Sequence, residues 1–168
     1  MSETYDLIVR GGTVVNHDGA GVRDIAVRAG QIVAIGQLGT AKAPEIIVAR
    51  HLHVLPGVVD SQVHFREPGL EQKEDLETGG RAAVMGGVTA VFEMPNTKPL
   101  TISAETLADK VRRARHRMHC DFAFYVGGTR ENIADIPALE RLEGSAGIKV
   151  FMGASTGDLL VEDEPSLD

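Results

Sequence analysis

The side chains of this 168-residue chain best suited to do chemistry lie in Asp60-Ser61-Gln62-Val63-His64-Phe65-Arg66-Glu67-Pro68-Gly69. An imidazole binds metal or carries a proton. A guanidinium is a planar fork matched to a carboxylate, and a carboxamide offers both donor and acceptor. These residues follow the apolar run Val54-Leu55-Pro56-Gly57-Val58-Val59, which predicts a buried β-strand. Side chains in a strand alternate faces, so Asp60, Gln62, His64 and Arg66 are expected on one face, each about 7 Å from the next. A polar row at the end of a buried strand is unfavourable unless it lines a site. Asp60 is expected to support that row by hydrogen bonding rather than to touch substrate.

The elements that must position this row fall into two blocks, residues 1–55 and 56–168. In the first, Asp6–Arg10 reads as a strand ended by Gly11-Gly12, and Thr13–Asn16 as another. Asp24–Arg28 and Gln31–Ile35 flank the turn Ala29-Gly30, and short hairpins joined by Gly-containing turns suggest a small sheet. Ile46–Val48 and His53-Val54 are expected to add edges to it. In the second block the strand Val58–His64 precedes a helix near Asp75–Met85, stopped by Gly86-Gly87. Thr89–Met94 is a strand, Ser103 an N-cap for a helix to Met118, and Asp121–Val126 a third strand. Ile133, Ile136, Leu139 and Leu142 mark a helix or two short turns, bracketed at its end by Gly144 and Gly147, before a fourth strand at Ile148–Met152. Strands recurring with helices between them indicate consecutive βα units on a parallel sheet, a pattern shared by open doubly wound sheets and closed barrels. Barrel sites gather at the C-terminal ends of strands, where His64, Arg66, Asn96 and Lys149 fall. A whole barrel takes about 250 residues, so three units and a fourth strand are expected here.

With those motifs in place, the chain resembles the amidohydrolase superfamily and, within it, most nearly the dihydroorotase family. The likeness rests on Pro56-Gly57-Val58-Val59-Asp60 with His64 and Arg66, on Met94-Pro95-Asn96-Thr97, and on Gly147-Ile148-Lys149-Val150-Phe151. It runs from about Tyr5 to the C-terminus. The resemblance implies an α/β fold: a β-rich N-terminal segment of amidohydrolase type, then an incomplete (β/α)8 TIM-type barrel, about its first half. It implies hydrolysis of a cyclic amide by one or two zinc ions in the barrel. Strand one of the family carries a His-x-His metal pair, strand four a carbamylated lysine that bridges the metals, strands five and six two further histidines, and strand eight a catalytic aspartate. By that correspondence His64 is the second strand-one ligand, Lys149 the bridging lysine, and Arg66 with Asn96 the clamp on a substrate carboxylate.

Two departures accompany the likeness. Gln62 occupies the first histidine's position, and a carboxamide oxygen is a poor zinc ligand; the loss is about 3 kcal/mol, or roughly a hundredfold in affinity. The positions corresponding to strands five to eight, with the catalytic aspartate, fall beyond Asp168. Three readings follow. The chain is a dihydroorotase-like enzyme of pyrimidine synthesis, interconverting dihydroorotate and N-carbamoyl-aspartate, with allantoinase or hydantoinase as sister activities. Alternatively it is a non-catalytic partner of aspartate carbamoyltransferase, or a homo-oligomer. The third reading is a truncated product of a longer gene. Individual residues have plainer readings too: Arg66 as a structural bridge to Glu67 or Asp60, Asn96 as an Asx-turn residue, Lys149 as an exposed strand-end lysine. His51 and His53 form a second His-x-His, but precede the barrel and read as strand or loop residues. His116 and His119 are expected to be exposed near a helix end.

Composition narrows the classes. With 17 Lys and Arg against 24 Asp and Glu, the net charge is −7, which argues against general nucleic-acid binding. The basic run from Lys110 to Arg117 reads as the solvated face of a helix. One cysteine, Cys120, cannot form an internal disulfide, which suits a reducing cytoplasmic setting. The acidic N-terminus lacks signal-peptide features, and no apolar run approaches the ~18 residues of a membrane span.

Overall fold

The structure, a computed structural model, describes residues 4–153 and 159–167. The chain divides into two compact units, Met1–Pro56 and Gly57–Asp168.

The first unit is a five-stranded sheet of β1 (Leu7–Asn16), β2 (Gly19–Arg28), β3 (Gln31–Gly36), β4 (Glu45–Val48) and β5 (His53–Val54). The strands lie in the order β3-β2-β1-β4, and β5 also pairs with β1. β1 runs antiparallel to β2 and parallel to β4 and β5. The two strands expected before and after Gly11-Gly12 are one strand. Its register with β2 shifts between Val9 and Gly12, where Gly11 adopts φ +71° and donates its N–H to Asp24 Oδ1 at 2.8 Å. A bulge there inserts a residue without ending the ladder. Ile8 and Ala26 are fully buried beside Tyr5, with Leu38, Ala41 and Ala43 packed against them.

The second unit holds β6 (Val58–Val63), α1 (Leu76–Met85), β7 (Val88–Glu93), α2 (Ala104–Ala114), β8 (Asp121–Gly127), a 3-10 turn (Ile133–Asp135), α3 (Ile136–Leu139), β9 (Ser145–Lys149) and α4 (Glu164–Leu167). All pairings among β6, β7, β8 and β9 are parallel. The strands lie side by side in chain order, without the reversal that defines a doubly wound sheet. This is the opening of a (β/α)8 barrel, so the fold is α/β with a β-rich unit and a partial barrel. α1 and α2 each begin with a capping box, Asp75 with Thr78 and Ser103 with Thr106. Their inward residues Leu76, Leu107, Val111 and Ala114 meet Val91, Phe124 and Val126 of the sheet.

Several boundaries differ from expectation, among them three in the second unit. β6 stops at Val63, before His64. α2 ends at Ala114, since Arg115 is extended and His116 sits at φ +63°; Met118, folded back by a hydrogen bond from its N–H to Ala114 O, still packs against the core. The fourth strand is Ser145–Lys149 rather than Ile148–Met152. The turn at Gly144 (φ +84°) launches it early, and Gly147 lies within it rather than closing the preceding helix. Among the described residues, no helix is long and apolar enough to cross a membrane.

Candidate functional site

His64, Arg66, Asn96 and Thr97 line one small pocket together with Leu70, Glu93 and Met94. The segment after β6 supplies the first two and the segment after β7 supplies Asn96 and Thr97. Strand alternation does not bring His64 and Arg66 together, because β6 has ended by Val63 and Arg66 takes φ +63°. A non-glycine residue in that region holds its shape only where its surroundings enforce it. Phe65, between them, is 7% exposed in the core. It lies so close to α1 that a Cβ at Gly79 would stand 2.6 Å from its ring. Phe65 is thus the anchor that aims its two polar neighbours.

The His64 imidazole is half-buried and titrates below its ordinary value. Burial is the main cause, and the positive charges of Arg66, Lys110 and Lys149 act the same way; a hydrogen bond with the Asn96 side chain opposes them. His64 is therefore held neutral, with Asn96 fixing its ring. Asn96 makes this contact rather than serving only as a turn residue. Lys149 ends β9, with its Nζ 5.2 Å from the centre of the Phe151 ring; it is half-buried and its charge is felt at His64. Arg66 does not bridge to Glu67. The Glu67 carboxylate instead takes Arg117 Nη1 at 2.7 Å and Nη2 at 3.1 Å, and accepts the Leu76 N–H at 3.0 Å.

Gln62 is exposed and does not line the pocket. Its N–H donates to Asp60 Oδ1 at 3.0 Å, so Asp60 steadies the strand end. His51 and His53 are exposed in the first unit, and His116 and His119 are exposed near the end of α2.

Zinc sites in proteins take three or four nitrogen, sulfur or carboxylate ligands. Among the described residues no three His, Cys, Asp or Glu side chains come together as such a set. The pocket holds one imidazole, and Gln62 is not among its lining residues, so the donors of these residues alone do not fit a zinc ion.

The basic run is not a solvated face throughout. Lys110 is 1% exposed and its Nζ lies 3.0 Å from Glu93 Oε2, itself 1% exposed. The same Nζ donates to Met94 O at 3.2 Å and stands 5.2 Å from the Phe124 ring centre. Burial drives Glu93 upward and Lys110 downward from their ordinary values, each opposed by the other's charge. The contact is an ion pair rather than an aligned hydrogen bond. Arg113 and Arg117 converge on Glu67, while Arg115 meets Glu143 at 2.6 Å. Sequence reasoning passed over Glu93 and Lys110, although a signal was present. Position 110 falls on the Leu107–Val111–Ala114 stripe, and Glu93 is two residues beyond the inward Val91.

A model of the dihydro-orotase-like family matches residues 52–150. An allantoinase of Bacillus velezensis is 39% identical over 168 aligned residues, taking in 97% of this chain and 36% of the relative. An allantoinase of Escherichia coli is 40% identical over 163, taking in 96% and 35%. Among solved structures, an L-hydantoinase (dihydropyrimidinase) from Arthrobacter aurescens superposes with a TM-score of 0.89 at 32% identity, covering 97% of this chain and 37% of that one. A D-hydantoinase from Bacillus sp. AR9 gives 0.80 at 27% identity, covering 96% and 36%. The chain spans just over a third of the length of the curated relatives it matches.

Proposed function

The chain belongs to the dihydro-orotase-like family, and from that premise we propose that it contributes the first strands of a cyclic-amide hydrolase acting on a ureide ring of the allantoin or hydantoin type. The observation that carries this reading is 39–40% identity with allantoinases along nearly the whole chain, supported by the likeness to hydantoinase structures. Within it, Arg66 and Asn96 hold the ring by its oxygens. Allantoin and hydantoin present carbonyl oxygens where dihydroorotate adds a carboxylate, and guanidinium and amide donors serve either acceptor. Arg66 and Asn96 therefore do not by themselves demand a carboxylate. His64, kept neutral, offers a lone pair to a metal. Lys149, carbamylated, is assigned as a second ligand and Gln62 marks the weakened first position. The set is completed by donors other than those described above.

Dihydroorotate remains the second reading, because a charged fork pairs more strongly with a carboxylate than with a carbonyl. The test is an assay of the purified protein, supplied with zinc, against allantoin, hydantoin and dihydroorotate, with Lys149→Ala beside it. Opening of allantoin or hydantoin that Lys149→Ala abolishes is the expected result. Opening of dihydroorotate alone overturns the ureide assignment. No opening of any ring removes catalysis from this chain and leaves the non-catalytic reading, association with aspartate carbamoyltransferase or with a second copy, to be examined by sizing the mixture.

A further inference from the structure

Two segments build the pocket, one after β6 and one after β7, joined to each other by backbone hydrogen bonds from the Met94 N–H to Val63 O at 3.0 Å and from the Lys98 N–H to Pro68 O at 2.9 Å. The buried Glu93–Lys110 pair touches both. Lys110 Nζ donates to Met94 O, two residues before Asn96. Glu93 pairs in register with Val63, the last residue of β6 before His64. Glu93 itself lines the pocket. One lysine reaching from α2 therefore bears on both segments, directly on one and through Glu93 on the other.

The energetics argue that this pair is not present for stability. Both side chains are 1% exposed, and taking two charges out of water costs several kcal/mol per ion before their attraction repays it. Neither Glu93 oxygen gains an aligned hydrogen bond in return. Buried pairs of this kind are often replaced by well-packed neutral side chains with no loss of stability, whereas removal of one partner is strongly destabilising.

We propose that Glu93 and Lys110 are positioning residues, which tie the His64–Arg66 segment and the Asn96 segment to α2 and so set the geometry of the pocket. The inference rests on reading that pocket as the site, but its measurement is independent of turnover. In the full chain, the ring nitrogen resonances of His64 and the side-chain amide resonances of Asn96 report their mutual placement whether or not any ring is opened.

The deciding variant is the double substitution Glu93→Gln with Lys110→Met, since Lys110→Met alone strands a buried carboxylate and risks unfolding. The expected result is a melting temperature at or above that of the parent. Alongside it, the His64 and Asn96 signals move, and hydrogen exchange at the Asn96 side-chain amide becomes about tenfold faster. A double variant that leaves both signals in place overturns the proposal, because the pocket then keeps its geometry without the pair. A double variant that unfolds overturns it as well, because the pair then serves the fold.

Discussion

Replacing Glu67 by Gln tests the electrostatic logic of the second unit. The Glu67 side chain is 4% exposed and grips Arg117 through both terminal nitrogens, at 2.7 and 3.1 Å. Hydrogen bonds to charged groups contribute a net ~1.5–3 kcal/mol, and breaking a fully buried pair costs about 3–5 kcal/mol. The Arg117 side chain is 36% exposed, so its uncovered charge can turn to water. Gln also keeps an acceptor for the Leu76 N–H. The expected loss is therefore about 2–3 kcal/mol, or roughly 8–12 °C in melting temperature for a domain of this size. The loss should also depend on pH. Burial, the largest single influence on Glu67, pushes its carboxyl upward. Arg117, the Leu76 N–H and Arg113 together outweigh it, and the group ends below its ordinary 4.5. On acidification the unfolded chain therefore takes up the proton first. The carboxylate's contribution is complete above pH 4.5 and declines below it, toward the lower value in the fold. Thermal melts of parent and variant from pH 7 to pH 3 measure both effects. A loss smaller than about 2 °C at pH 7, or a gap that fails to narrow below pH 4.5, would refute the reasoning.

Two further substitutions probe the segments around the pocket. Gly79→Ala drives a methyl to within 2.6 Å of the Phe65 ring, and overpacking of this kind costs about 1–3 kcal/mol; urea unfolding should record that loss, with the His64 ring resonances displaced as Phe65 shifts. Asn132→Ala removes a buried amide that donates to Ile102 O at 2.8 Å and Gly127 O at 2.9 Å and accepts from Thr129 N at 2.8 Å. About 2–3 kcal/mol should be lost, and the Thr129 amide should exchange faster in a hydrogen-exchange experiment.

The order of elements was legible because periodicity and glycine placement report local geometry directly. Leu107, Val111 and Ala114 are inward on α2 as their spacing demands, and Ser103 caps the helix it precedes. The pocket was legible only in part. His64, Arg66 and Asn96 were found by residue type and resemblance, but the reason they converge was misread. A period-two row was expected, whereas a positive φ at Arg66 and the packing of Phe65 against Gly79 do the work. Lys110 was missed because a charge in a basic run suggests solvent, while its position on the apolar stripe said otherwise. The carboxylate-bearing substrate was inferred from Arg66 and Asn96, two donors that also serve a carbonyl oxygen, while the relatives matched are named allantoinases and hydantoinases. Gly11 shows the remaining limit: a bulge and a strand end have the same local sequence, and only pairing with β2 separates them.

The side-by-side order of β6, β7, β8 and β9 has a consequence for how the second unit assembles. Val58 pairs with Val88 and Ala90 with Asp121, so each ladder closes a loop of similar, moderate length. The entropy of closing such a loop grows only slowly with its length, and each step begins from an edge already built. A chain emerging from the ribosome can therefore add β7, β8 and β9 to β6 one strand and its covering helix at a time. Assembly by short, repeated closures keeps the contact order low for a parallel sheet.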